Sequence, residues 1–193
     1  MSLISRAKGL VLTPRREWDA IELEEVSIVD LYRNYIIYLA AIPPFASFVS
    51  SWLFGFYSRA TLTYVHATFA EGLWRAIVQY ALSLPAIFLI AFVLSMTAPH
   101  FEGKTDDRRA LILAAYSFTP AWLAAIFGLV PGLRFLDFLG FWGIYIFYLG
   151  ATRMLRVPRD NVDVFTVLGL AVTMATVALH GRIVHFIAPG LMV

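Results

Sequence analysis

Five stretches of this chain run for roughly 15 to 25 residues without a charged side chain: Asn34 to Ser58, Ala76 to Pro99, Ala110 to Leu133, Phe138 to Thr152 and Val164 to Gly181. About 20 apolar residues carry an α-helix across the hydrocarbon core of a bilayer. Backbone groups that face lipid must bond within their own segment, so runs of this length are helical. A transmembrane β-barrel would show alternating segments of about ten residues, and none occurs. The 193 residues are 60% hydrophobic and 15% charged, where soluble domains are nearer half and a quarter. That apolar mass exceeds what one soluble core of this length buries. The predicted fold is an all-α membrane protein, a bundle of five transmembrane helices with an N-terminal amphipathic surface helix. The fourth run is the shortest, with Asp137 and Arg153 bracketing it at the interfaces.

Five spans put the termini on opposite sides, and the distribution of Lys and Arg chooses between the two orientations. With the N-terminus inside, the inner segments hold Arg6, Lys8, Arg15, Arg16, Arg33, Lys104, Arg108, Arg109, Arg153, Arg156 and Arg159. The outer segments hold only Arg59, Arg75, Arg134 and Arg182. The expected topology is therefore N-terminus cytoplasmic and C-terminus outside. Net charge is only +2, and most cations flank the apolar runs, so the partner they fit is a membrane surface and not nucleic acid. Arg6 and Lys8 interrupt the first apolar stretch and no small-residue cleavage pattern follows, so no cleaved signal peptide is expected.

Residues 1–32 read as an inner-surface amphipathic region and 33–193 as the five-span domain. Leu3, Ala7, Leu10 and Val11 recur at helical spacing around Arg6 and Lys8, the pattern of a basic helix lying on the membrane. Thr13-Pro14 reads as a helix start, Thr capping and Pro at the first helical position. Trp18, Ile21 and Val26 are expected at the lipid headgroups, with Glu17, Asp19, Glu22, Glu24 and Glu25 making a solvated acidic face. Leu62, Val65, Phe69 and Leu73 share a helical face, which predicts an interfacial helix over about Tyr57 to Leu73. A very short turn, Val130 to Arg134, makes spans three and four a tight hairpin.

No charged residue lies within a predicted span. Ionisable groups deep in a bilayer are costly and functional, so their absence argues against a proton pump, a voltage sensor or an intramembrane carboxylate site. Pro43-Pro44, Pro85 and Pro120 interrupt three spans and kink or shape them. Tyr116, Ser117 and Thr119 stand where they can satisfy the backbone groups Pro120 frees. With Pro120, Tyr145 and Tyr148 they make a candidate polar pocket. The polar residues beside the inner ends, Asp30, Tyr32, Glu102, Asp106, Asp107 and Arg108, make a candidate surface for a cytoplasmic partner. Gly140 and Gly143, Ala121 and Ala125, and Ala171 and Ala175 are small residues at spacings that allow close helix contact. The four histidines fall on different sides and make no metal box. There is no cysteine, hence no disulfide, thiolate metal site or cysteine nucleophile. No GxSxG, P-loop, HExxH or GxGxxG occurs. No cofactor and no enzymatic activity are expected.

The order and spacing of several motifs resemble the Yip domain family, the Ypt/Rab-interacting-protein-like membrane proteins, in its bacterial branch. Thr13-Pro14 through Trp18 and Ile21 resembles that branch's Pro…Trp…Ile pattern. Asp30-Leu31-Tyr32 resembles the Asp-Leu-Tyr before the first span, and Pro43-Pro44 within it is similar. Phe101 and Gly103, then Tyr116-Ser117-x-x-Pro120, resemble the Tyr-Ser-x-x-Pro segment of the third span. Gly150 and Val157-Pro158 resemble the end of the fourth span. The resemblance implies five spans, the same topology and a bacterial inner membrane. Eukaryotic relatives are implicated in Rab binding and vesicle traffic, but Arg33-Asn34 and Ala115 depart from their pattern.

The function these features imply is a non-enzymatic membrane-organising or scaffold protein acting through helix packing and its cytoplasmic face. The alternative is a small transporter, channel or lipid-moving protein that uses a polar pocket between kinked third and fourth spans. Expected partners are the lipid bilayer, further copies of the chain or other membrane proteins, and a soluble cytoplasmic protein.

Overall fold

A computed structural model describes residues 2–58 and 63–189. Five helical segments are long and apolar enough to cross a membrane: Ile28–Leu53, Phe69–Phe101, Asp107–Leu129, Pro131–Met154 and Val162–Ile187. The expected all-α, five-span class is what the structure shows. The third span is the axis of the bundle, with 67% of its apolar window buried against 28% or less for each of the others. The second and fifth spans turn Phe88, Phe92 and Met96, and Val167, Met174 and Val177, outward as lipid-facing surface.

Each span departs from its apolar run for a local reason. The first begins earlier because Ser27 caps it, its hydroxyl accepting from the Asp30 amide at 3.0 Å. It breaks at Ala40-Ala41 and restarts as Ile42–Leu53 with proline in the first turn. Pro43-Pro44 thus opens a second helical segment, where a missing N–H costs nothing. Pro85 lies inside an unbroken helix, Phe69–Thr97. Pro120 starts a new segment, Thr119–Ala124, after the helix Asp107–Ser117 ends. The fourth span reaches back past Asp137 as a tighter 3₁₀ stretch, Pro131–Phe141, before the helix Trp142–Met154. Gly140 and Gly143 let it close on the third span. A Cβ on Gly140 would stand 3.0 Å from the Ala121 Cα, and one on Gly143 would stand 2.4 Å from the Ser117 carbonyl oxygen.

The interfacial helix expected over Tyr57 to Leu73 does not form. Gly55, at φ +73°, turns the chain out of the first span. Phe56–Ser58 then pairs antiparallel with Thr63–Val65, Phe56 opposite Val65. Thr, Tyr and Val favour such pairing. The helix starts only at Phe69, where Thr68 and Glu71 form a reciprocal capping box. Leu62 lies outside the described residues.

The N-terminal region also differs from expectation. It forms two short helices, α1 (Leu3–Leu12) and α2 (Pro14–Glu22), with Pro14 in the first turn of α2 as predicted. Thr13 is not a side-chain cap. Its hydroxyl donates back to the Gly9 carbonyl at 3.3 Å. The apolar face of this helical hairpin packs on protein and not on headgroups: Leu10, Trp18 and Ile21 join one core with Leu111, Leu113 and Ile146. The reason is a groove between the third and fourth spans whose apolar walls match that face. Ala7, Leu10, Trp18 and Ile21 each keep 6% or less of their surface exposed.

One end of the bundle gathers this hairpin with two loops. The Lys104 amide donates to the Leu155 carbonyl at 2.7 Å, and Arg153 pairs with Asp19 at 2.7 Å.

Candidate functional site

Tyr116 lies about 14 Å along the third span from Asp107, by the helical rise. It is 4% exposed. The Tyr35 ring meets it edge-on at 4.9 Å, and Trp18 lies at 6.1 Å. The hydroxyls of Tyr35 and Thr119 share a buried hydrogen bond of 2.7 Å. Thr119 therefore serves Tyr35 rather than the backbone groups that Pro120 frees. Ser117 is buried, and its Oγ has no partner among the described residues. Tyr145 and Tyr148 of the fourth span are half-buried against the core. The Tyr145 ring lies tilted against Trp142, with centroids 5.0 Å apart. The structure thus joins Tyr116 and Thr119 to Tyr35, while Tyr145 turns to Trp142.

The charge at this centre comes from the hairpin, not from the spans. Arg6 is 4% exposed, and its guanidinium carbon lies 5.7 Å from the Tyr116 ring centroid. Nη1 donates to Glu17 at 2.6 Å, and Nη2 lies 2.5 Å from both Glu24 oxygens. Burial alone lowers the basicity of Arg6. The hydrogen bond to Glu24, with the fields of Tyr116, Glu24 and Glu17, outweighs burial and raises its pKa above the ordinary arginine value. The acidic face expected in solvent is therefore split. Glu17 and Glu24 turn inward to Arg6, and Asp19 reaches Arg153.

Trp18 fixes the hairpin. Its Nε1 donates to the Ile146 carbonyl at 2.9 Å, and its ring lies on Gly150, where a Cβ would come within 2.4 Å of Cζ2. Of the expected partner-surface residues, Asp30, Glu102 and Asp107 are exposed, and Asp106 and Arg108 are half-exposed. Asp106 caps the third span by accepting from the Arg109 amide at 2.9 Å. Tyr32 leans inward, its hydroxyl donating to the Leu84 carbonyl at 2.8 Å.

Two cavities lie among the spans. One, of about 470 Å³, touches all five spans and is lined by Arg75, Gln79, Arg134, Asp137 and His180 together with Ile87 and Ile90. The other, of about 510 Å³, runs past Ser117, Phe147, Gly169, Leu170 and Met174. Neither is lined by Tyr116 or Tyr148.

The Yip1 domain model matches residues 8–180, nearly the whole bundle together with most of the hairpin. The chain belongs to the Yip1 domain family. Similar relatives are the inner membrane protein YohC of Escherichia coli strain K12 and that of strain CFT073. Each is 23% identical over 180 residues, covering 91% of this chain and 88% of the relative. No solved structure matches. The Yip1 match runs through Trp18, Tyr116 and Gly150, so the Trp18 contact with Gly150 lies within the family's own extent, while Arg6 precedes it. Sequence reasoning on this Yip1-domain chain missed Arg6, Trp18 and Tyr35 as members of one centre. The available signal was the pairing of an interior-sized aromatic with an Arg and two Glu at helical spacing before the first span.

Proposed function

We propose that this Yip1-domain chain is a non-enzymatic inner membrane protein, N-terminus cytoplasmic and C-terminus outside, that organises other proteins at its hairpin-bearing end. The observation that carries this reading is the filling of the polar centre: Tyr116 is 4% exposed, walled by Trp18, Tyr35 and Arg6. A substrate path past Tyr116 would need that space. The same packing gives a rigid platform on which exposed Glu102 and Asp107 stand, positions suited to a basic patch on a soluble protein. The inner-membrane placement rests on the YohC relatives. The orientation rests on the Lys and Arg count.

A photo-crosslinker placed at Glu102 or Asp107 in native membranes tests the reading. One soluble protein captured from both positions, and lost on Asp107→Lys, is the expected result. Solute flux in liposomes that Tyr116→Phe abolishes would overturn it. A C-terminal phosphatase fusion is expected to be active outside the cell, and a fluorescent C-terminal fusion dark.

A further inference from the structure

The two cavities are one amphipathic groove. They share Ile90, Phe118, Ala121, Asp137 and Val177 as walls. One end is polar, with Arg75, Gln79, Arg134 and His180. The rest is mainly apolar, with Ile87, Trp122, Phe147 and Leu170 beside scattered serine and threonine hydroxyls. Volumes of about 470 and 510 Å³ each lie in the range that holds small ligands. We propose that this groove binds an anionic phospholipid, its phosphate between Arg75 and Arg134 and an acyl chain along the apolar arm.

Charge sets the sign of the ligand. Among the described residues that line the rim, two arginines stand with one carboxylate, Asp137, a formal sum of about +1 that favours an anion. Arginine's planar fork matches phosphate oxygens. Arg75 is held in place on the wall by donating to the Ala188 carbonyl at 3.3 Å. Depth sets the class of ligand. Arg75 lies about 9 Å along the second span from Phe69, and Arg134 about one turn into the fourth span. Both arginines thus stand near one end of their spans, the part of a span that a bilayer sets toward its headgroups. The apolar arm opens sideways among Phe141, Met174 and Val177, which are 69%, 65% and 54% exposed. A soluble anion would use the rim alone and leave this arm without an occupant. A lipid uses both, and it enters from the hydrocarbon without crossing water.

Native mass spectrometry of the full chain in detergent tests this with phosphatidylglycerol, phosphatidylcholine and inorganic phosphate as probes. Wild type is expected to hold one phosphatidylglycerol about tenfold more tightly than phosphatidylcholine, whose phosphate is the same but whose choline cation meets the two arginines. Arg75→Gln with Arg134→Gln should erase that preference. Val177→Trp fills the apolar arm without touching charge and should weaken both lipids. Lys104→Gln with Arg159→Gln removes two exposed cations at the opposite end and should change nothing. Equal retention of the two lipids by wild type would overturn the proposal. So would unchanged phosphatidylglycerol binding in both groove variants. Equal loss in the Lys104/Arg159 variant would reduce the binding to general surface charge, and competition by inorganic phosphate would reduce it to an anion site without a lipid.

Discussion

The indole nitrogen of Trp18 and the backbone carbonyl of Ile146 are joined by a hydrogen bond of 2.9 Å across 128 positions of sequence. It ties the N-terminal hairpin to the middle of the fourth span. Trp18→Phe keeps a smaller aromatic ring, loses the bond and leaves a small cavity, so it should cost about 1–3 kcal/mol. Trp18→Ala also opens a cavity and should cost about 3–5 kcal/mol. Thermal unfolding in detergent measures both. Equal effects of the two changes would mean that the ring's packing contributes nothing.

Gly150 is the other half of that contact. A methyl group there would stand 2.4 Å from the Trp18 ring and 2.6 Å from the Leu113 Cδ1. Gly150→Ala should therefore push the hairpin off the bundle, at about 1–3 kcal/mol for overpacking. Limited trypsin digestion reads the displacement directly, as faster cleavage at Arg15 and Arg16. Trp18→Ala in the same chain makes room for the methyl group, so the two costs should add to less than their sum.

Arg6 is a buried cation with two carboxylate partners. Arg6→Met strands Glu17 and Glu24 and should cost about 3–5 kcal/mol, whereas Arg6→Met with Glu17→Gln and Glu24→Gln should recover most of it. The pH dependence follows from the direction of the shift. The pKa of Arg6 is raised in the folded chain, so its contribution is complete at any pH below the ordinary arginine range. It is lost only as pH rises past the raised value. Tryptophan fluorescence of the docked hairpin should then stay flat between about pH 7 and pH 10. A drop across that window would mean that another group holds the hairpin.

The spans were legible in the sequence because a bilayer imposes one rule on every uncharged run, while the hairpin was not. Leu10, Trp18 and Ile21 make the same amphipathic stripe whether they meet headgroups or a protein groove. Only the walls of that groove, Leu113, Ile146 and Gly150, distinguish the two, and they lie about a hundred residues away in the chain. Charge placement misled for the same reason. Arg6 is remote from every span in sequence, yet it reaches Tyr116 once the hairpin folds back. The Tyr116, Thr119 and Pro120 cluster was visible as a motif, but its partner Tyr35 sits in a different span, and no spacing rule links the two.

Tyr35 and Thr119 offer the sharpest separation of a structural from a substrate-handling centre. Tyr35 is 4% exposed and Thr119 is fully buried, so the hydroxyl left behind by either single change has no water to turn to. Tyr35→Phe or Thr119→Val alone should each cost about 1–3 kcal/mol. The pair together removes both polar groups and should cost less than the two separately, a positive coupling in a double-mutant cycle. Thermal unfolding of the four proteins gives that coupling. A polar pair lining a solute path would behave otherwise. Water would replace the missing hydroxyl, the single changes would leave stability within about 0.5 kcal/mol of wild type, and flux in liposomes would fall instead.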